Sequence, residues 1–129
     1  MDSRKVGKVT GVMKTDDKRI RVKLSIVMFE DSGQKVVYCP AIDVYGYGTT
    51  ETEATESFQT CLEEFFTYSI RKKTLIPELE RLGWTIKKEK KFTPPVFSKL
   101  LENNRTLSDI FDKRPFKKID RNFAIPAYV

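Results

Sequence analysis

Histidine is absent from the 129 residues of this chain. That absence removes Ser-His-Asp and Cys-His nucleophilic machinery and every His-based general acid or base. Catalysis would have to rest on carboxylate, lysine, tyrosine or thiol. Cysteine is scarce, with Cys39 and Cys61 alone. Two thiols in a cytosolic chain read as buried small hydrophobes; the alternative is a disulfide or a metal pair. Two thiols do not fill a tetrahedral zinc site, and no imidazole is present to complete one. No run of about 18 apolar residues occurs, so no membrane-spanning helix is expected. The opening MDSRKVGKVTG lacks the apolar core of a signal peptide, which places the protein in the cytoplasm as an expectation. No cofactor motif is present: Gly46-x-Gly48 lacks the third glycine and the Lys-Ser/Thr pair of phosphate loops.

What is present is charge, unevenly spread. The formal net charge is +6. Residues 1–23 carry eight basic and three acidic side chains; residues 24–70 carry one and eight; residues 71–129 carry fifteen and seven. An acidic middle between basic ends predicts two kinds of surface, one for a basic partner and one for nucleic acid, against the alternative of an ordinary solvated exterior.

The pattern of apolar residues predicts an α+β fold. Residues 4–14 suggest a short strand, and Thr15-Asp16-Asp17-Lys18 a turn. From 19 to 29 the chain alternates, with Ile20, Val22, Leu24, Ile26 and Met28 on one face and Arg19, Arg21, Lys23 and Ser25 on the other, as a half-buried strand requires. Glu30-Asp31-Ser32-Gly33 is a turn signal. Residues 35–39 form the next strand, ended by Pro40, and 43–48 a third, with Gly46 and Gly48 relaxing the backbone. Thr50 with Glu53 reads as a capping box opening a helix to about Ile70. Its buried face is Ala54, Phe58, Cys61, Leu62, Phe65 and Ser69. Thr74 and Pro77 open a second helix to Leu82, with Gly83 as its C′ residue. Residues 84–88 suggest a return strand, Val96–Asn103 a two-turn helix, Thr106 and Asp109 the caps of another short turn, and 116–128 a tail ending in a short strand. The expected architecture is a three- to four-stranded, mainly antiparallel sheet packed by one long and one short helix. Residues 1–91 form that domain, and 92–129 an appendage packed on it or on a second subunit.

The stretch VVYCPAIDVYGYGTTETEATESF, with Pro40, Gly48, Thr49, Thr50, Glu53 and Ala54 in order, resembles the sheet-to-helix passage of HicB-like antitoxins. Leu82-Gly83-Trp84 is similar to the end of that family's second helix. The resemblance covers residues 24–86. It implies a partial ribonuclease-H-like fold without nuclease activity and a small basic ribonuclease toxin of the HicA type as partner. It also implies self-association as a homodimer or higher oligomer and, in many members, operator DNA binding through a C-terminal helix-turn-helix or ribbon-helix-helix. Residues 87–129 spell neither motif clearly, although Asn103-Asn104-Arg105 stands where a helix-turn-helix turn would.

Three functional readings follow. In the first, the protein is not an enzyme: it neutralises the toxin by occluding its active surface, using Tyr45, Tyr47, Glu51, Glu56, Glu63 and Glu64. In the second, it is a DNA- or RNA-binding regulator whose phosphate contacts are Arg81, Lys87, Lys88, Lys90, Lys91, Lys117, Lys118 and Arg121. In the third it is an orphan interaction module with no toxin. Two-metal nuclease chemistry needs converging carboxylates. Glu51 and Glu53 are already explained as helix-opening acids, leaving Asp43, and no acid lies between Arg19 and Phe29, so neither catalytic nor metal-binding residues are assigned. Tyr38, Tyr45 and Tyr47 would make an aromatic platform for single-stranded RNA, but their acidic neighbours Asp43, Glu51 and Glu53 favour cross-strand packing.

Overall fold

The computed structural model describes residues 19–88 and 91–126. The strand and turn expected over residues 4–18 lie outside them. Strand β1, Arg19–Asp31, turns through Ser32 and Gly33 into β2, Gln34–Cys39, and β3, Val44–Gly48, follows. Helices α1, Glu51–Arg71, and α2, Leu75–Arg81, come next, then a small hairpin of β4, Thr85–Lys87, and β5, Lys91–Thr93. Helices α3, Phe97–Asn103, and α4, Arg105–Lys113, lead to the last strand β6, Phe116–Pro126. The main sheet runs β3-β2-β1-β6 and every pairing in it is antiparallel.

The fold class is α+β, as expected, but the fourth strand is not the one the sequence suggests. Residues 85–87 pair with β5 in a separate two-stranded sheet. The place beside β1 is taken by β6, which pairs from Phe116↔Phe29 to Pro126↔Arg19. Residues 92–129, read from sequence as an appendage, therefore contribute an eleven-residue strand to the main sheet.

Each face of the sheet has its own helical cover. Directly paired residues of an antiparallel sheet share a face, and the faces alternate along each strand. Val22, Leu24 and Ile26 of β1 lie on one face with Val37, Val44 and Phe123, and all are buried. Helix α1 covers that face: Phe58 meets Phe123 edge-on with ring centroids 6.4 Å apart. Val27, Val36 and Tyr38 lie on the opposite face, buried with Leu107 and Ile110 of α4. Phe111 stacks on Phe116 at 4.1 Å, fastening α4 to β6. Trp84, whose indole N–H donates to the Ala41 carbonyl at 2.8 Å, secures α2 and the small hairpin to the turn between β2 and β3.

Helix α1 forms where the capping signal stands. It contains neither glycine nor proline, and Thr50 Oγ1 accepts from the Glu53 N–H at 3.1 Å. The reciprocal half of the box differs from expectation: the Glu53 carboxylate accepts from the backbone and hydroxyl of Thr49, at 2.9 and 2.6 Å, rather than from Thr50. Its buried residues are Ala54, Phe58, Leu62, Phe66 and Ser69, while Cys61 and Phe65 sit at the boundary. Phe66 replaces Phe65 in the core because the buried residues follow the i, i+4 row, which winds about 40° round the helix at each step. Thr74 makes no side-chain cap for α2, and Asn104, not Thr106, caps α4. Gly83 takes the left-handed conformation expected of it, at φ +102°. No helix among the described residues is long and apolar enough to cross a membrane.

Gly46 and Gly48 serve a purpose the sequence reading missed. Neither has a positive φ. A Cβ on Gly46 would collide with the backbone nitrogen of Phe58 and the carbonyl of Ala54, and one on Gly48 would lie 2.6 Å from the nitrogen of Ala54. The backbone of α1 rests directly on the backbone of β3. Gly46→Ala is expected to cost about 3 kcal/mol through overpacking against rigid backbone, measured by urea denaturation. Gly33→Ala, with open space around its Cβ but φ at +81°, should cost only about 1 kcal/mol; equal costs would rule out the close-approach account. Separately, the hydrogen bonds from Thr49 and Thr50 lower the pKa of the Glu53 carboxyl. A carboxyl that gives up its proton more readily when folded stabilises the fold above the ordinary glutamate range and loses that contribution as pH falls through it. Glu53→Gln should flatten the acid limb of the stability–pH curve while leaving the alkaline limb unchanged, as followed by thermal melts.

Candidate functional site

Three surface features compete as functional sites. The first is the tyrosine ladder. Because Gly46 and Gly48 face α1, the alternation of β3 turns Tyr45 and Tyr47 to the opposite side of the sheet. There Tyr38 pairs with Tyr45 across the strands. The Tyr38 and Tyr45 rings stack at 4.1 Å with planes 16° apart, and Tyr45 and Tyr47 follow at 6.1 Å and 4°. The ladder runs from buried to exposed: Tyr38 is fully covered and Tyr47 is 50% exposed.

The buried end of the ladder is wired into α4. Tyr38 Oη donates to Asp43 Oδ1 at 2.9 Å and accepts from Asn104 Nδ2 at 2.8 Å. Asn104 Oδ1 in turn accepts from the Leu107 N–H at 3.0 Å, capping the helix. Burial pushes the Tyr38 phenol well above its ordinary pKa, so it stays protonated and keeps donating. Burial also raises the pKa of Tyr45. Asp43 itself stands in the left-handed region, at φ +62°, a conformation aspartate tolerates better than most residues.

The second feature is the outer side of α1. Glu51, Glu56, Glu63 and Glu64 are all exposed. Glu51 pairs with Lys117 at 3.3 Å. Glu56, Glu63 and Glu64 have no cationic partner among the described residues. Tyr68, 55% exposed, lies near the C-terminal end of this acidic ridge with Lys72 over its ring at 5.8 Å. The sequence reading grouped the tyrosines Tyr45 and Tyr47 with the α1 glutamates as one face. The structure separates them: Glu56, Glu63 and Glu64 point outward from the helix, Glu51 reaches Lys117 of β6, and both tyrosines lie on the other side of the sheet. Strand parity is the reason, and the two groups come near each other only around the β3 edge.

The third feature is basic. The eight cations proposed for phosphate contact do not form one stripe. Lys87, Lys88 and Lys91 are exposed on the β4–β5 hairpin, and Lys90 lies outside the described residues. Lys117 and Lys118 are neighbours on a strand and so point to opposite faces. Lys117 reaches Glu51; Lys118 pairs with Asp120 at 3.0 Å and lies over the Phe97 ring at 5.0 Å. Arg121 is partly buried opposite Leu24. Arg81 is held by Glu78 at 2.8 Å. The fold gathers Arg81 with two cations the sequence reading passed over, Lys99 and Arg105, around a cleft of about 600 Å³ that Asp43 and Asn104 also line. No local pattern marks this trio, because its members come from three separate helices.

Helices α3 and α4 meet at Asn104, where the sequence reading set the turn of a helix-turn-helix. Leu107 and Ile110 are buried under α4, and its exposed residues include Asp109 and Asp112. Its exposed charges are of both signs, Arg105 and Lys113 beside the two aspartates. Among the described residues no group of three or more His, Cys, Asp or Glu is placed to hold a metal ion. Comparison with protein-family models, curated proteins and solved structures finds no match to the chain.

Asn104 joins a helix cap to a buried tyrosine. Asn104→Ala should destabilise the protein by about 2 kcal/mol, through loss of the cap and of a hydrogen bond to a buried hydroxyl. Asn104→Asp, which keeps the cap but loses the donor to Tyr38, should fall between Asn104→Ala and the parent in thermal melts. If both variants melt with the parent, the network contributes nothing to stability.

Proposed function

We propose that this chain is an antitoxin-like binding protein of the HicB type. It docks a small basic ribonuclease toxin of the HicA type against the outer side of α1 and covers the toxin's active surface. The observation that carries the reading is the row of carboxylates Glu56, Glu63 and Glu64, exposed and without cationic partners among the described residues along a 21-residue helix. Carboxylates left unpaired among the described residues are what a basic partner would complement.

The α1 helix is about 30 Å long at 1.5 Å per residue, long enough to frame a standard interface. Its acidic charge would speed encounter with a cationic protein and reject other acidic surfaces. Tyr68 offers an exposed aromatic anchor at one end, the residue type that dominates interface energetics. Tyr47 would join the contact only if the partner wraps the β3 edge. The α+β architecture is compatible with this reading but is shared with many unrelated functions.

The test is capture from the native cell. The tagged chain should retain a small basic polypeptide at stoichiometric yield. That polypeptide should cleave RNA when isolated and stop when the chain is added back. Charge reversal at Glu56, Glu63 and Glu64 together should slow association at least about tenfold at low salt, with little effect on thermal stability. Unchanged association would remove the α1 ridge as the docking surface. Retention of nucleic acid without protein would move the assignment to the nucleic-acid regulator reading.

A further inference from the structure

The cleft between α2, α3 and α4 has the makings of a ligand site that shares no residue with α1. We propose that it binds a nucleotide, with the phosphate among Arg81, Lys99 and Arg105 and the sugar or base against Asp43 and Asn103.

Arg81 is the last residue of α2, Lys99 lies in the first turn of α3, and Arg105 opens α4. All three line one cleft of about 600 Å³, and Asp43 is the sole carboxylate among its lining residues. Asp43 already accepts the Tyr38 hydroxyl proton at 2.9 Å. Arg81 and Lys99 each have a carboxylate neighbour outside the lining, Glu78 and Glu102, so the positive potential in this concave, partly apolar space is centred on Arg105, where an anion gains most. The volume falls in the range usual for small-molecule sites.

Each cation keeps donors for a ligand. Glu78 holds Arg81 through Nε, at 2.8 and 3.3 Å. That contact orients the guanidinium and leaves its terminal nitrogens for a bidentate contact with phosphate oxygens. Lys99 has only Glu102, at 3.9 Å, the longest of the ion pairs among the described residues. Arg105 has no ionic partner among them. Asn104 spends its side chain on the Leu107 N–H, so the N–H groups of Arg105 and Thr106, in the first turn of α4 and lining the same cleft, remain for an anion.

The remainder of the cleft fits a nucleoside better than a bare anion. Pro40, Leu82, Pro95 and Leu100 supply apolar wall. The second oxygen of Asp43 is an acceptor for a ribose hydroxyl or an exocyclic amine. Its position is set in advance by Tyr38 and Asn104, which lowers the ordering cost of recognition. A free nucleotide and the phosphorylated end of a strand present the same group, and the experiment separates them.

The experiment is an amide-resolved NMR titration, with calorimetry, of the full chain. The probes are nucleoside 5′-monophosphates, the matching nucleosides, inorganic phosphate, and a short oligoribonucleotide with and without a 5′-phosphate. Nucleotide should shift the amides of Arg105, Thr106 and Gly83, and should bind more tightly than either nucleoside or phosphate alone. Lys99→Ala with Arg105→Ala should weaken it at least about tenfold, the usual consequence of losing charge-assisted contacts. Asp43→Asn, isosteric and tolerant of the same backbone conformation, should reduce discrimination among the nucleotides and, by removing the one carboxylate of the lining, should not weaken phosphate binding. Tighter binding of the 5′-phosphorylated strand assigns the site to strand ends; binding no tighter than the mononucleotide assigns it to free nucleotide. The proposal fails if millimolar nucleotide shifts no cleft amide. It fails equally if phosphate alone binds as well as nucleotide, or if the oligonucleotide binds equally without its 5′-phosphate.

Discussion

At Gly46 the backbone of a helix lies on the backbone of a strand with no side chain between them, and the arrangement of the molecule follows from that contact. The α1 helix is drawn close enough over β3 for Phe58 to enter the sheet's core and meet Phe123 on the far strand. The residues of β3 that alternate with the glycines must then face away from the helix. Tyr45 and Tyr47 stack there on Tyr38, the ladder's base, instead of joining the helix in a common surface. The same closeness lets Ser57 of α1 reach the edge of the sheet, where its hydroxyl oxygen accepts the Tyr47 N–H at 3.1 Å. One outward-pointing donor of an edge strand is thereby satisfied within the chain, which discourages another strand from pairing there.

The opposite layer is organised by polar rather than by steric means. Tyr38 stands at the centre of a chain of hydrogen bonds from Asp43 through its own hydroxyl to Asn104 and the first turn of α4. A buried hydroxyl needs partners, and this one finds its acceptor in the adjoining turn, at Asp43, and its donor 66 residues away, at Asn104. The turn between β2 and β3 and the start of α4 are thus fixed relative to each other, and the cleft that Asp43 and Asn104 line takes its shape from them.

Much of this was legible in the residues. The alternation from Val22 to Met28 announces β1, the β-branched run Val36-Val37 announces β2, and the Thr50 cap locates α1 to the residue. The rest lay outside local pattern. The β6 strand reads Lys-Lys-Ile-Asp-Arg-Asn through its middle, with charges on both faces because it is an edge strand, so its period-two signal is faint and its length was underestimated. Gly46 and Gly48 were read for flexibility when their role is to make room, a distinction that depends on a helix several residues later in the chain. The candidate surfaces suffered most. Whether Tyr45 and the α1 glutamates share a face is decided by strand parity relative to a helix whose side of the sheet is unknown beforehand. The meeting of Arg81, Lys99 and Arg105 is a property of three-dimensional packing with no trace in spacing.

The pairing of β1 with β6 bears on how the chain is made. Ser25 bonds Asp120 at 2.8 Å across a separation of 95 residues, and this ladder is the longest in the sheet. During synthesis β1 emerges early with β2, β3 and α1 soon behind it, yet one flank of β1 stays open until residues near Pro126 have left the ribosome. Contacts so distant in sequence form slowly, and an unpaired strand flank is sticky while it waits. Arg21 and Lys23 of β1 fall on that waiting stretch, where charge is what keeps a nascent strand apart from its neighbours.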